Sequence, residues 1–60
     1  MNKEFKDNKA WLIAKQPFIT DRLSYIFNEK VRVFQDSYGM SLEKARTDAY
    51  FMMSGVHFYA

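Results

Sequence analysis

The chain has 60 residues and a net charge of +2, and it contains no Cys. This length predicts a single domain, and the lack of Cys excludes disulfides and the usual structural zinc site, for which His57 would be the only strong ligand. No apolar run approaches the ~20 residues of a membrane span, so we expect a cytoplasmic protein without a membrane segment.

Aromatic and sulfur-bearing side chains are numerous for so short a chain, with 6 Phe, 4 Tyr, 1 Trp and 4 Met. A domain of this size buries only roughly 60% of the surface that its unfolded chain exposes, so its core is small. Small domains without disulfides or metals commonly gain stability from oligomerisation. The composition therefore predicts that a second copy of the chain, or a partner protein, covers part of the apolar surface.

Residues 3–16 form the first predicted helix, because they are rich in good helix formers. Pro17 disfavours helical backbone at Gln16, which should end the helix there. The apolar stripe is imperfect, since Asn8 and Lys9 stand where apolar residues would be expected.

The second predicted helix covers residues 20–38 and has the clearest signal in the sequence. Thr20 is a good N-cap, Asp21 suits the positive end of the helix dipole, and Gly39 is a natural stop. Apolar residues recur with helical period and predict one buried face, with Asn28 among the polar residues on the other side. The predicted core residues of this helix are Leu23, Phe27, Val31 and Phe34.

Residues 41–54 form the third predicted helix, with Ser41 as its N-cap and Glu43 in its first turn. Small residues one turn apart let another helix approach closely, and Met fills irregular gaps. The predicted core residues of this helix are Ala45, Ala49 and Met52. The apolar tail of residues 55–60 is expected to pack against the domain or against another chain.

The short link between the second and third helices makes them antiparallel neighbours. The first helix, which turns at Pro17, can cover their open side. The predicted fold is therefore all-α: a small three-helix domain, made of an N-terminal helix and an antiparallel helical hairpin, which we expect to be dimeric.

Several aromatic side chains project outside the predicted inner stripes. Together with one aromatic residue of the tail they form the candidate protein interface: Trp11, Tyr25, Tyr50, Phe51 and Phe58. Contiguous exposed apolar surface usually marks an interaction site, and interfaces are enriched in aromatic residues and Met. Three explanations stay open, namely wrapping within one chain, self-association and binding of a separate protein, and the last two are compatible.

The sequence contains no motif for catalysis, cofactor binding or metal binding. His57, in the apolar tail, is interpreted as a packed or capping residue rather than a general base. The carboxylates of the helices fall on outward faces beside basic residues, and no two are predicted to share a cleft. A domain of this size also has little room for a small-molecule pocket. We therefore expect a non-enzyme without cofactor or small-molecule substrate.

DNA binding is the principal alternative. The link Tyr38-Gly39-Met40-Ser41 resembles the helix–Gly–hydrophobic–Ser–helix link of ribbon-helix-helix repressors and of some helix-turn-helix domains. The resemblance would imply a small dimeric transcription regulator with an N-terminal strand, yet residues 5–9 alternate poorly for a strand. In a DNA complex the phosphate contacts would be Lys3, Lys6, Lys9 and Lys15.

In composition, short chains that lack Cys and are rich in Met and aromatic residues resemble accessory proteins of phages and other mobile elements. That resemblance would imply a modulator that covers part of a host or phage enzyme. We therefore expect a non-enzymatic protein-interaction module that forms a homodimer, binds a second protein, or does both.

Overall fold

The computed structural model describes the backbone of residues 3–54 and the side chains of residues 6–54. Three helices are present, with α1 spanning Lys3–Lys15, α2 spanning Asp21–Tyr38 and α3 spanning Leu42–Met53. No strand occurs in this part of the chain. The predicted all-α fold with three helices is confirmed, and the expected packing of the tail concerns residues outside the described range.

The residues at the helix ends explain where the helices begin and end. Thr20 has extended backbone (ψ 162°), and its hydroxyl accepts a hydrogen bond of 3.2 Å from the Leu23 N–H. Ser41 caps α3 in the same way. Gly39 ends α2 because it adopts the left-handed conformation (φ 66°), from which its N–H donates to the carbonyl of Gln35 at 3.1 Å.

The core takes side chains from all three helices. The fully buried apolar residues number one in α1, two in α2 and three in α3: Leu12, Phe27, Val31, Ala45, Ala49 and Met53. Leu23 and Phe34 are partly buried and pack against this group. The small alanines form a line along α3, where they allow α2 to approach closely.

Met52 is not a core residue, although the sequence predicts it as one: its side chain is 59% exposed, and Met53 is buried instead. Consecutive helical residues point about 100° apart, so only one of the two methionines can face the core. Met53 lies four residues after Ala49 and eight after Ala45, and it continues the buried line.

A buried polar contact joins α1 to both other helices. The Asn8 amide nitrogen donates to Asn28 Oδ1 at 2.7 Å, and Arg46 Nε donates to Asn8 Oδ1 at 2.7 Å. The predicted placement of Asn28 on the solvent side is wrong, because its side chain is only 4% exposed. The contact also explains why Asn8 interrupts the apolar stripe of α1: its amide has a polar partner inside the protein.

Candidate protein-interaction surface

Two of the five candidate interface residues pack within the chain. The Trp11 ring stacks on Phe27, with ring centroids 5.6 Å apart and an angle of 10° between the planes. Trp11 also meets Tyr50 edge-on at 6.1 Å, and the side-chain amide of Gln16 donates to the Tyr50 hydroxyl at 3.3 Å. Trp11 and Tyr50 are therefore half-buried and help to hold α1 against α2 and α3.

Two other candidates, Tyr25 and Phe51, are exposed. Tyr25 projects from α2, and Phe51 of α3 is 70% exposed, with one ring contact to Tyr50 at 6.4 Å. Phe58 lies outside the described residues. Thus α2 and α3 each present one of the candidate aromatic side chains to solvent.

An open groove of about 410 Å³ lies along one face of α2. We call it the α2 groove, and its lining residues are Tyr25, Ile26, Glu29, Lys30, Val33, Phe34 and Tyr38 of α2 and Met52 of α3. No residue of α1 belongs to this lining, so among the described residues the groove is formed by α2 and α3 alone. The sequence predicts Tyr25 outside the inner stripe of α2, but it gives no sign that Met52 joins it in the groove.

The groove follows from the geometry of α2. Its α2 residues form two adjacent rows in which neighbours are four positions apart, and such neighbours stack along one side of a helix. Ile26 and Phe34 are half-buried, because each side chain packs against the core. Tyr25, Val33 and Tyr38 point outward and are at least half exposed. The same helix face therefore supplies both the edge of the core and an apolar surface.

Two charged residues line the groove, one acidic and one basic. Glu29 lies near Arg32, with 3.5 Å between Oε2 and Nη1, and both side chains are substantially exposed. An exposed ion pair of this kind contributes little to stability, so the Glu29 carboxylate can exchange partners readily. Lys30 occupies the next position of the helix and is half-buried. The groove is thus apolar with one charge of each sign.

The lysines considered as phosphate contacts have different surroundings. Lys9 Nζ lies 2.6 Å from Asp21 Oδ1, and this hydrogen bond, together with the positive charge of Lys9, lowers the pKa of the Asp21 carboxyl. Lys15 Nζ lies over the Trp11 ring, 5.1 Å from its centroid. Lys6 is exposed, and the Lys3 side chain is outside the described set. At least two of the four lysines therefore interact within the chain.

Within residues 6–54, no group of three or more His, Asp or Glu side chains is arranged to hold a metal ion. None of the three helices combines the length and the apolar character needed to cross a membrane. Comparisons of the chain with models of known protein families, with curated proteins and with solved structures find no match. A function has to be inferred from the residues of this chain and their arrangement.

Proposed function

We propose that this chain is a small, non-enzymatic protein-interaction module that works as a homodimer and modulates another protein by covering part of its surface. The α2 groove is the observation that supports this proposal. Tyr25, Val33, Tyr38 and Met52 are each at least half exposed around it. Water-exposed apolar surface of this kind is typical of a site that another protein covers.

The size of the core also favours a dimer. Six apolar side chains are fully buried in the described part of the chain, and two of them are alanines. A 60-residue chain without Cys has no disulfide to add stability, whereas burial of more apolar surface between two copies would do so. Within each copy we propose that α2 and α3 form an antiparallel hairpin, supported by their short link and by the core residues that both supply.

Light scattering across a tenfold dilution, at low and moderate salt, tests the homodimer. We expect a mass near twice the 7.2 kDa of the chain at the highest concentration, decreasing on dilution. A mass of one chain at every concentration would contradict the dimer. Retention on heparin that is lost at moderate salt would instead support DNA binding, because phosphate contacts release counterions.

Binding of a second protein is tested with Phe51, which lies outside the α2 groove and stays 70% exposed. A protein that co-purifies with the wild-type chain should be lost with Phe51→Ser. It should be retained with Phe18→Ser, the matched control. Phe18 is also an exposed Phe (97%), but it lies in the loop that joins α1 to α2, away from α3 in the sequence. Equal recovery with both variants would show that Phe51 is not the contact.

A further inference from the structure

We infer that the second copy binds across the α2 groove with its own α2, and that the two α2 helices run parallel. This inference rests on the proposed function, because it specifies how the proposed homodimer is built. A two-fold axis along the contact would relate the copies, so each residue near the axis would meet its own equivalent.

Ile26 and Val33 form the centre of this contact. They are seven positions apart, which is two helical turns less about 20°, so both side chains lie on the same side of α2. Both line the groove, and Val33 is half exposed. Apolar residues seven positions apart supply one of the two apolar positions that each heptad of a two-helix seam uses.

Glu29 and Lys30 decide the orientation. Consecutive positions differ by about 100° around the helix and 1.5 Å along it, so the two side chains flank the Ile26–Val33 line on opposite sides at nearly the same height. A parallel pair places Glu29 beside the partner's Lys30, and it does so twice. An antiparallel pair centred here places Glu29 beside the partner's Glu29 and Lys30 beside the partner's Lys30. Charge complementarity therefore favours the parallel pair.

The proposed contact between the two α2 helices is small, so the chain concentrations in the test have to be chosen for a weak dimer. Eight residues line the groove, whereas a standard interface contributes about 20–30 residues from each partner. We therefore expect a weak dimer with a dissociation constant in the micromolar range or above, roughly 1 μM to 1 mM. Measurements should span that range of chain concentration.

Single cysteines determine the orientation, because the chain has no Cys of its own. In a parallel dimer, Ile26→Cys and Val33→Cys should each form a disulfide-linked dimer under mild oxidation. In an antiparallel dimer at least one of these positions lies about 10 Å or more from its equivalent, since seven residues span about 10.5 Å. That separation exceeds the Cα distance of about 7 Å that a disulfide tolerates.

Lys6→Cys, exposed on α1, is the matched control and should cross-link no faster than random collision allows. Cross-linking at both groove positions supports the parallel pair. Cross-linking at one position or neither, from a chain that light scattering shows to be dimeric, overturns this inference and leaves the proposed function standing. A chain that stays monomeric at millimolar concentration overturns the homodimer itself.

Charge variants test the same contact without removing core atoms. Lys30→Glu puts only acidic groups at the flanks of the seam, so we expect the dissociation constant to rise about tenfold. Lys6→Glu changes the net charge equally and should leave it unchanged. Mixing Lys30→Glu with Glu29→Lys should restore association. Equal weakening by Lys30→Glu and Lys6→Glu, or no rescue in the mixture, would overturn the assignment of the groove.

Discussion

Arg46 fixes the orientation of the Asn8 side chain, because its Nε donates to Asn8 Oδ1 at 2.7 Å. Nδ2 of Asn8 then faces Asn28 Oδ1 at 2.7 Å and acts as the donor. Asn8 and Asn28 are almost completely buried, so each depends on the other for a partner that water cannot supply. One amide thus links the three helices in a single register.

Replacing Asn8 with Leu should destabilise the fold by about 1–3 kcal/mol, because Asn28 loses its hydrogen-bond donor and Arg46 loses its acceptor. Urea unfolding followed by far-UV circular dichroism measures the change. Ser37→Ala on the exposed part of α2 is the control and should stay within about 0.5 kcal/mol of the wild type. An Asn8→Leu variant as stable as the wild type would show that the contact adds nothing to stability.

Phe27 and Tyr25 should separate folding from association. Phe27 is fully buried against Trp11, so Phe27→Ala should cost roughly 3–5 kcal/mol and can unfold a domain this small. Tyr25→Ala should keep the helical content and weaken the dimer, since its side chain lines the α2 groove. Circular dichroism and light scattering check the two effects. Equal loss of helix in both variants would contradict this division.

The Lys9–Asp21 ion pair should make the stability of the fold depend on pH. The pair holds the pKa of Asp21 below its ordinary value of 3.8, so the folded state favours the ionised carboxylate. Its contribution is present above that ordinary value and is lost as the pH falls through the lower, folded-state pKa. The melting temperatures of wild type and Asp21→Asn should therefore differ near pH 6 and converge once the pH has fallen below the folded-state pKa of Asp21. A difference that stays constant over this range would contradict the assignment.

Ser24 offers a stabilising substitution. Its hydroxyl oxygen is buried in α2 and has no hydrogen-bond partner in the described part of the chain. Ser24→Ala removes this group and introduces a better helix former, so we expect it to be neutral or to stabilise by up to about 1 kcal/mol. Thermal melting measures the effect. A clear loss of stability would reveal that the hydroxyl has a role in the native state.

The helices were predictable from the sequence because their signals are local. Thr20, Gly39 and Ser41 act at helix ends through contacts with residues close in sequence, and the apolar repeat of α2 marks its buried side. Ala45 and Ala49 are one helical turn apart, and both are fully buried, as the sequence predicts.

The remaining assignments depended on contacts between distant residues. Asn28 appears polar and external until Asn8, twenty positions away, is placed against it. Trp11 lies outside the inner stripe of α1, yet Phe27 and Tyr50 cover it from two other helices. Met52 lines the α2 groove because it points away from the core. The apolar pattern of α3 does not show which of Met52 and Met53 faces the core.

The stacking of Trp11 on Phe27 has a consequence for spectroscopy. Trp11 is the chain's only tryptophan, and it lies on α1, which supplies one residue, Leu12, to the buried apolar core of the described residues. Its emission therefore reports whether α1 is docked, which need not coincide with the melting of α2 and α3. Fluorescence and circular dichroism recorded on the same sample would reveal any range of denaturant in which α1 has detached while α2 and α3 remain paired.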